Sequence, residues 1–319
     1  MSSKAILAAI KRNKTFLITT HVNPDIDALA SELVMALYLK SQGKKVYVIN
    51  AGKVASMYLF LPYVRLIKKF SGQKIDYDAA VILDCGDLDR IDTVKKTIDQ
   101  RKIIINIDHH ITNDDFGDFN LVKSRASSTS EILYDFLKEA KFKLTKETAV
   151  LLYTGIMTDT GSFRYDNTAA HTHAIVSELL KFRFSVDRLY KQIYETIPLA
   201  DLKKFAKLIS SFEMSHKGKV ASIELSQSTV SRFSGNFDLR DKIFSFLRGI
   251  KGIEVIAIFT EGGKKLTRIN FRSQEKVDVA KLASLFNGGG HKKASGCRFR
   301  GSLKSAKQKI FSQLKKIVK

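Results

Sequence analysis

The side chains of this sequence that could bind divalent cations are imidazoles and carboxylates at a few points of the chain. They are His21, Asp25, Asp27, Asp84, Asp108, His109, His110 and Asp159. This mixture of ligands suits Mn, Fe, Zn or Mg. Two His and four Asp are enough for two ions that share one carboxylate. Two ions ~3.5 to 4 Å apart activate a water and stabilise both oxygens of an in-line phosphoryl displacement, and a remaining imidazole could protonate a leaving group.

The hydrophobic pattern places most of these residues at the ends of predicted strands. β-branched and apolar runs predict strands at 16–20, 46–49, 79–83 and 103–107, and a helical period runs from Leu29 to Gly43. Because strands alternate with helices, we expect a parallel sheet whose carboxyl ends lie along one edge and bring the polar clusters together.

Two further helices bear on the site. Capping residues Ser127 to Glu131 predict the start of one helix, whose N-terminal N–H groups could receive an anionic group. The second, predicted from Thr145 to Met157, delivers Asp159. A carboxylate at the end of a buried helix needs a partner, since it would be costly to bury it alone.

The pattern changes beyond residue 216. Amphipathic helices are predicted between 168 and 216, and the last, Leu199 to Met214, is expected to connect two domains. A different α+β unit follows, with strands at 219–225, 253–259 and 265–271, helices at 238–247 and 278–286, and a Lys-rich terminal helix. The predicted fold class is α/β, with domains at 1–190 and 217–319 joined by a helical connector at 191–216.

Charge is distributed unevenly along the chain. The formal net charge is +22, and residues 217–319 contain 23 Lys and Arg against 7 Asp and Glu. The C-terminal part is therefore a candidate for binding a polyanion, although a Lys-rich proteome would give the same excess. With two cysteines, no signal peptide and no apolar run of ~18 to 20 residues, we expect a cytoplasmic protein without a membrane partner.

Five motifs in this order resemble those of the DHH phosphoesterases and their associated substrate-binding domain. They are His21-x-Asn23-Pro24-Asp25-x-Asp27-Ala28, Leu83-Asp84-x-x-Asp87, Asp108-His109-His110, Thr158-Asp159-Thr160-Gly161 and Gly288-Gly289-Gly290-His291 followed by Ala294-Ser295-Gly296. The family usually has Gly where this sequence has Ile26. If that position needs a positive φ, Ile would be strained. Because both flanking acids remain, we expect a slight backbone adjustment with metal ligation retained.

The resemblance implies a role for each residue. His21 and Asp25 would bind one manganese ion, Asp27, His109 and Asp159 the other, and Asp84 would bridge them. His110 would face the scissile phosphate, and Asp108 would orient its neighbours. A run of three glycines alone would predict a turn after a helix, but in this family Gly288, Gly289, Gly290 and His291 would contact the substrate. Arg272, together with Ser273, resembles the phosphate-recognition site of the oligoribonuclease branch.

The resemblance also implies an activity and its partners. It implies hydrolysis of short single-stranded RNA or dinucleotides and of 3′-phosphoadenosine 5′-phosphate with two Mn²⁺, for which Mg²⁺ or Co²⁺ could substitute. A homodimer is compatible with it. The main alternative is a cyclic di-AMP or linear dinucleotide phosphodiesterase of the same family. A pyrophosphatase fits less well, because that relative lacks the glycine-rich domain, and a non-catalytic RNA-binding protein is the alternative from another class.

Overall fold

In the computed structural model, which describes residues 3–234, 237–263 and 265–318, the chain forms two compact units, residues 1–193 and 194–319. Both units are mixtures of helices and sheet, so the predicted α/β class is confirmed. The domain limits given above stay predictions. No helix in the described part of the chain has the length and apolar character needed to cross a membrane.

The first unit is built on six parallel strands. They are β1 (Thr15–Thr20), β2 (Lys45–Asn50), β3 (Ile67–Lys69), β4 (Ala79–Leu83), β5 (Ile103–Asp108) and β6 (Phe119–Val122). The strand order is β3-β2-β1-β4-β5-β6. The four long strands were predicted from their apolar runs. The short β3 and β6 were not, since three or four residues are too few to give a readable pattern.

Helices surround this sheet. They are α1 (Ser3–Arg12), α2 (Ile26–Ser41), α3 (Thr129–Glu139), α4 (Lys146–Asp159), α5 (Ala170–Leu180) and α6 (Val186–Tyr194), with 3₁₀ turns at Ser56–Tyr58, Val64–Leu66 and Leu88–Thr97. Asp25, Ser128 and Thr145 cap α2, α3 and α4 with their side chains, as Asp, Ser and Thr commonly do.

The strand order reverses between β1 and β4, which are neighbours in the sheet. At such a point the connections leave in opposite directions and open a crevice at the carboxyl ends of the strands. His21 follows β1 directly, Asp84 follows β4, and Asp108 ends β5. The topology thus places these residues at the ends of three adjacent strands, as the sequence pattern predicts.

The second unit has its own sheet, with strand order β11-β12-β10-β9-β8-β7. Its elements are α7 (Leu199–Ile209), β7 (Glu213–Ser215), β8 (Val220–Leu225), α8 (Gln227–Val230), α9 (Leu239–Arg248), β9 (Val255–Glu261), β10 (Leu266–Ser273), α10 (Val279–Ser284), β11 (Gly289–His291), β12 (Ala294–Arg300) and α11 (Leu303–Ile317). The pair β8–β9 is parallel and the other pairs are antiparallel. Strands β9 and β10 follow one another in the chain and pair in antiparallel register.

The predicted helix from Leu199 to Met214 is too long. Helix α7 ends at Ile209, and Met214 lies in strand β7. Ser210 and Ser211 donate their hydroxyl hydrogen bonds to the carbonyls of Lys207 and Leu208, a local side-chain alternative to continued helix. Phe205 of α7 is buried in the core of the second unit.

Glu32 is a fully buried acidic side chain of the first unit that lies outside the motifs described above. Glu32 of α2 accepts a hydrogen bond from Asn50 Nδ2 at 2.8 Å. Glu32 Oε1 and Asn50 Oδ1 have no hydrogen-bond partner in the part of the chain that the structure describes. Burial, opposed by the Asn50 amide and the charge of His21, raises the pKa of Glu32 to about 8. The protonated carboxyl carries the donor that Asn50 Oδ1 lacks.

We expect Glu32 to make stability depend on pH. In the unfolded chain its pKa is near the ordinary 4.5, so between about pH 4.5 and 8 the folded state holds one extra proton. The contribution of Glu32 to the free energy of unfolding is therefore complete below about pH 4.5. It falls by about 1.4 kcal/mol per pH unit as pH rises from there to about 8. Glu32→Gln, which cannot ionise, should lack this slope. Urea unfolding of both proteins across that range measures it, and parallel pH dependences would contradict the assignment.

Candidate metal centre

Asp84 lies at the centre of the polar cluster. It follows β4 with a φ of +51°, a left-handed conformation that is uncommon for a residue with a side chain and is often found at functional sites. His21 Nε2 is 3.6 Å from Asp84 Oδ2, and His109 Nε2 is 3.6 Å from Asp84 Oδ1. The two oxygens of one buried carboxylate therefore face two different imidazoles.

Three groups of possible ligands meet around Asp84. One contains His21, Asp25 and Asp84, a second contains Asp27, His109 and Asp159, and a third contains Asp84, Asp108 and His110. Within each group the ligand atoms lie within 4.8 Å of one another. The first two groups contain the residues that the family resemblance implies as metal ligands. Carboxylate oxygens and imidazole nitrogens in this number fit a pair of Mn-type or Mg-type cations.

Hydrogen bonds fix the orientation of both imidazoles. His21 Nδ1 lies 2.9 Å from the carbonyl of Val22, and His109 Nδ1 lies 3.4 Å from the carbonyl of Ala126. A carbonyl oxygen only accepts, so each Nδ1 carries the proton. Nε2 is then the nitrogen turned towards Asp84, and it is the atom through which each imidazole would bind a metal ion.

The N-terminus of α3 receives the carboxylate of Asp27. The N–H of Thr129 donates to Asp27 Oδ2 at 2.8 Å, and the N–H of Ser130 donates to Asp27 Oδ1 at 3.0 Å. The first turn of a helix has free N–H donors and a positive dipole end. The anionic group expected at this helix from the sequence is therefore a side chain of the protein itself.

Two residues that the sequence analysis did not single out support the same cluster. The hydroxyl of Thr129 donates to Asp84 Oδ1 at 2.8 Å. On α4, a Cβ at Gly155 would lie 2.6 Å from Asp27 Oδ1 and 2.1 Å from Ser130 Oγ. Glycine is therefore required for α4 to pass this close. An isolated glycine inside an apolar helix was the available sequence signal.

Crowding of carboxylates perturbs their ionisation. Burial, followed by the negative charges of Asp84 and Asp159, raises the pKa of Asp27 well above its ordinary value. The same causes in the same order raise the pKa of Asp25 to about 6. Asp25 is itself exposed to solvent, although protein atoms surround the site on its other sides. A cation between these groups would offset their repulsion.

The imidazoles compensate part of this charge. Burial acts to lower the pKa of His109, but its hydrogen bond and charge interaction with Asp159, 3.1 Å away, raise it well above the ordinary value. Burial acts to raise the pKa of Asp84, but the hydrogen bond of His21 and the charges of His110 and His109 hold it below the ordinary value. Asp84 thus stays ionised, which a bridging ligand requires.

Ile26 does not disturb the first motif. Asp25 is the N-cap of α2 and accepts a hydrogen bond from the N–H of Ala28 at 3.0 Å. Ile26 is the first residue of the helix, is 4% exposed, and is absent from the residues with positive φ among those described. The strain considered for this position does not arise. Asp87 of the second motif caps the following 3₁₀ turn through the N–H of Arg90.

His110 is oriented by Asp108. His110 Nδ1 lies 2.7 Å from Asp108 Oδ1, and the Asp108 side chain is fully buried. The pair forms the arrangement that the resemblance implies for these two residues. Since the carboxylate holds the proton on Nδ1, Nε2 is the nitrogen that can exchange a proton or bind an oxygen elsewhere.

The glycine run of the second unit forms part of a strand, not a loose turn. Gly289–His291 is β11, and it pairs with β12 in antiparallel register. A Cβ at Gly288 would lie 2.3 Å from the Gly296 carbonyl, and Gly290 has a φ of +132°. Packing therefore explains the first and third glycines. A Cβ at Gly289 would meet nothing within 4 Å, so its small size has no packing cause.

One face of the second sheet carries basic and small residues. Side chains alternate along a strand, and in β10 Arg268, Asn270 and Arg272 share the face that is exposed or half-buried. Their cross-strand partners in β12 are Arg298, Gly296 and Ala294. The Arg272 guanidinium lies 4.7 Å from the centre of the Phe244 ring, which fixes its position by a cation–π contact. Arg268, Asn270 and Arg298 were not identified from the sequence.

Ser273 is not on this basic face. It is 5% exposed, and its hydroxyl donates to the carbonyl of Lys292 at 3.4 Å. Because neighbouring residues of a strand point to opposite faces, Ser273 projects to the buried side when Arg272 projects to the other. The sequence resemblance grouped Ser273 with Arg272, but the structure places their side chains on opposite faces of β10.

Comparisons with known proteins show which domains and relatives this chain resembles. Residues 15–156 match the DHH family N-terminal domain, and residues 227–319 match the DHHA1 domain. The chain is 32% identical to the probable bifunctional oligoribonuclease and PAP phosphatase NrnA of Streptococcus mutans, over 99% of both chains. It is 30% identical to the NrnA of Bacillus subtilis, over 91% of both. An exopolyphosphatase-related protein from Bacteroides fragilis superposes with a TM-score of 0.89 at 28% identity, over 98% of this chain and 95% of that one.

The hydroxyl of Thr129 gives a test of the cluster. Thr129→Val keeps the shape of the side chain but removes the donor to Asp84, so Asp84 Oδ1 loses its orientation. We expect about tenfold weaker binding of Mn²⁺ in calorimetric titration. Thr154→Val is the matched control, because Thr154 is as buried but donates only to the carbonyl of Val150. Equal losses in the two variants would show that Thr129 has no specific part in the site.

Proposed function

This chain belongs to the DHH family, whose members are metal-dependent phosphoesterases, and we propose that it hydrolyses short oligoribonucleotides to mononucleotides and 3′-phosphoadenosine 5′-phosphate to AMP. The meeting of two ligand groups at Asp84 carries this proposal. The names of the Streptococcus and Bacillus relatives, which match along nearly the whole chain, support the choice of substrates.

We propose that the cluster holds two Mn²⁺ ions. His21 and Asp25 would bind one ion, Asp27, His109 and Asp159 the other, and Asp84 would contact both. Such ions supply positive charge that lowers the pKa of a bound water and stabilises charge on phosphoryl oxygens. The raised pKa values of Asp25 and Asp27 are consistent with groups that need a cation to share one pocket as carboxylates.

His110 is the group we propose for proton transfer or for polarising the phosphoryl group. Its ring is held by Asp108 through Nδ1, so Nε2 is the atom we propose for contact with the substrate. A positioned imidazole of this kind typically contributes 10²- to 10⁴-fold as an acid or base. Asp108 does not contact substrate in this scheme, because both of its oxygens are already used inside the protein.

The basic face of the second unit is proposed to bind the nucleotide. Arg268, Arg272 and Arg298 supply positive charge, and arginine pairs with phosphate through two parallel hydrogen bonds. Asn270 adds a buried Oδ1 that has no hydrogen-bond partner among the described residues. Gly289, which no packing constraint requires, leaves the backbone open for close approach of a ligand.

We expect hydrolysis to depend on Mn²⁺ and to favour short substrates. The assay compares a labelled RNA series from dimer to pentamer, a long RNA, 3′-phosphoadenosine 5′-phosphate and cyclic di-AMP, each with and without Mn²⁺. Release of mononucleotides and of AMP supports the proposal. Faster cleavage of cyclic di-AMP than of the other two would replace it with the second-messenger activity, and equal rates on dimers and on long RNA would contradict the preference for short substrates.

Asp84→Asn distinguishes an enzyme from an RNA-binding protein. Asn cannot supply a second charged oxygen, so we expect hydrolysis to fall to background while short RNA remains bound in fluorescence anisotropy. A wild-type protein that binds these RNAs but hydrolyses no substrate in the panel would support the non-catalytic alternative.

The glycine run gives a separate test of substrate binding. We expect Gly289→Ala to change the free energy of unfolding by less than about 0.5 kcal/mol, because its Cβ meets open space. KM for the RNA dimer should rise about tenfold, since the methyl group keeps the ligand from the backbone. Gly288→Ala is the control in which stability should fall. Its Cβ would clash with β12, which should lower the free energy of unfolding by about 1 to 3 kcal/mol. Unchanged KM in Gly289→Ala would remove this residue from the site.

A further inference from the structure

Asp108 is held from two sides by different partners. Its Oδ1 pairs with His110 Nδ1 at 2.7 Å, and its Oδ2 accepts from Asn113 Nδ2 at 2.6 Å. The carboxylate is completely buried at the end of β5. Because both oxygens are bonded, the plane of the carboxylate is fixed, and with it the direction of the bond to the imidazole.

The orientation of the Asn113 amide is determined by its neighbours. Asn113 Oδ1 accepts from the N–H of Asp115 at 2.8 Å, and Asn113 Nδ2 lies 2.8 Å from Asn106 Oδ1 and 3.2 Å from the Cys85 carbonyl. Turning the amide over would set its oxygen against three acceptors and its NH₂ group against a donor. Only one orientation satisfies the network, and it directs a donor at Asp108.

Asn106 extends this network into the sheet. Its side chain is fully buried in β5, and its Nδ2 donates to the carbonyls of Ile82 at 3.3 Å and Cys85 at 3.2 Å. Asn106 Oδ1 is therefore left to accept from Asn113. The chain of hydrogen bonds runs from the backbone carbonyls of β4 and of the loop after it through two side-chain amides to Asp108 and His110, and every member has a defined donor or acceptor role.

Packing keeps Asn113 close to this network. The N–H of Asn113 donates to the His110 carbonyl at 3.2 Å, so the backbone turns back over the imidazole. A Cβ at Gly86 would lie 3.6 Å from His110 Cβ and 3.8 Å from Asn113 Cα. The N–H of Asp114 also donates to the Gly86 carbonyl at 3.0 Å. The loop after β5 is thus pinned to the loop after β4.

We propose that Asn113 is a positioning residue of the reaction, which acts through Asp108 to hold the His110 ring in the orientation needed for catalysis. The inference rests on the proposed hydrolytic function and on the role of His110 in it. Asn113 is not one of the residues we propose as metal ligands, and its amide contacts Asp108, not Asp84. Without its amide, Asp108 Oδ2 is a buried acceptor without that partner, and the carboxylate can rotate away from the imidazole.

Asn113→Ala tests the positioning role, because a loss of positioning should change kcat and leave KM and the Mn²⁺ affinity unchanged. We expect kcat to fall about tenfold to 100-fold, the usual loss when the support of a catalytic or liganding group is removed. KM and the Mn²⁺ affinity should stay within about twofold, because neither substrate anchors nor ligands are changed. A loss that appears in KM or in metal affinity, with kcat preserved, would overturn the proposal.

A double-mutant cycle with His110→Ala separates positioning from general damage. If Asn113 acts only through His110, Asn113→Ala should lower kcat in the wild-type background and have no further effect when the imidazole is absent. Additive losses in the two backgrounds would overturn the proposal.

Asn120→Ala is the matched control. Asn120 also stabilises the segment after β5, with hydrogen bonds from Nδ2 to the carbonyls of Asp115 and Gly117 and to Oδ1 from the N–H of Gly117. It has no hydrogen bond to Asp108 among the described residues. A fall in kcat for Asn120→Ala as large as for Asn113→Ala would indicate general loosening of the loop.

A second measurement does not depend on activity. The Nδ1 proton of His110, bonded to a buried carboxylate, should give a downfield NMR signal that exchanges slowly with water and is identified by its loss in His110→Ala. Asn113→Ala should weaken this signal or speed its exchange, and Asn120→Ala should leave it unchanged. Its persistence with the same exchange rate in Asn113→Ala would overturn the proposal. Inactivity of the wild type towards all substrates would reject the proposed function, while this measurement still decides the positioning role.

Discussion

Repulsion between carboxylates is the constraint on which the first unit depends. Asp25, Asp27, Asp84 and Asp159 converge on one region at the edge of the sheet, and burial together with their mutual charge raises the pKa of Asp25 and Asp27. Such a group is stable only if the surroundings supply donors and positive charge. Backbone N–H groups, the imidazoles and, by our proposal, two cations have this role, so the architecture around the site serves to collect these partners.

The protein itself supplies some of the hydrogen-bond donors that stabilise these carboxylates, without any cation. The N-terminus of α3 donates two N–H groups to Asp27, and Thr129 donates its hydroxyl to Asp84. Helix α4 also passes close to Asp27, which Gly155 permits because it has no Cβ. A preorganised set of donors costs no rearrangement when charge develops in a reaction. The same physical requirement therefore sets helix placement, residue size and the arrangement of the ligands.

The two units use different chemistry for what we propose is one substrate class. The first presents carboxylates and imidazoles at the ends of parallel strands, where a metal-assisted displacement could occur. The second presents arginines and a small-residue strand on one face of its sheet, which suits phosphate and nucleotide binding. The excess of positive charge in residues 217–319 is thus concentrated in the unit that lacks the acidic cluster.

Much of this was determined by the sequence itself. Long apolar runs predicted the four long strands, and the alternation of elements predicted that His21, Asp84 and Asp108 would meet at one sheet edge, because parallel strands share the direction of their ends. The short β3 and β6, the end of α7 at Ile209 and the buried direction of Ser273 were decided by tertiary contacts and strand pairing. The partners of Asp27 and Asp108, namely the α3 N-terminus and Asn113, were also decided there. Hydrogen bonds between segments far apart in sequence leave no periodic pattern in the chain, since they depend on where the folded backbone brings each donor.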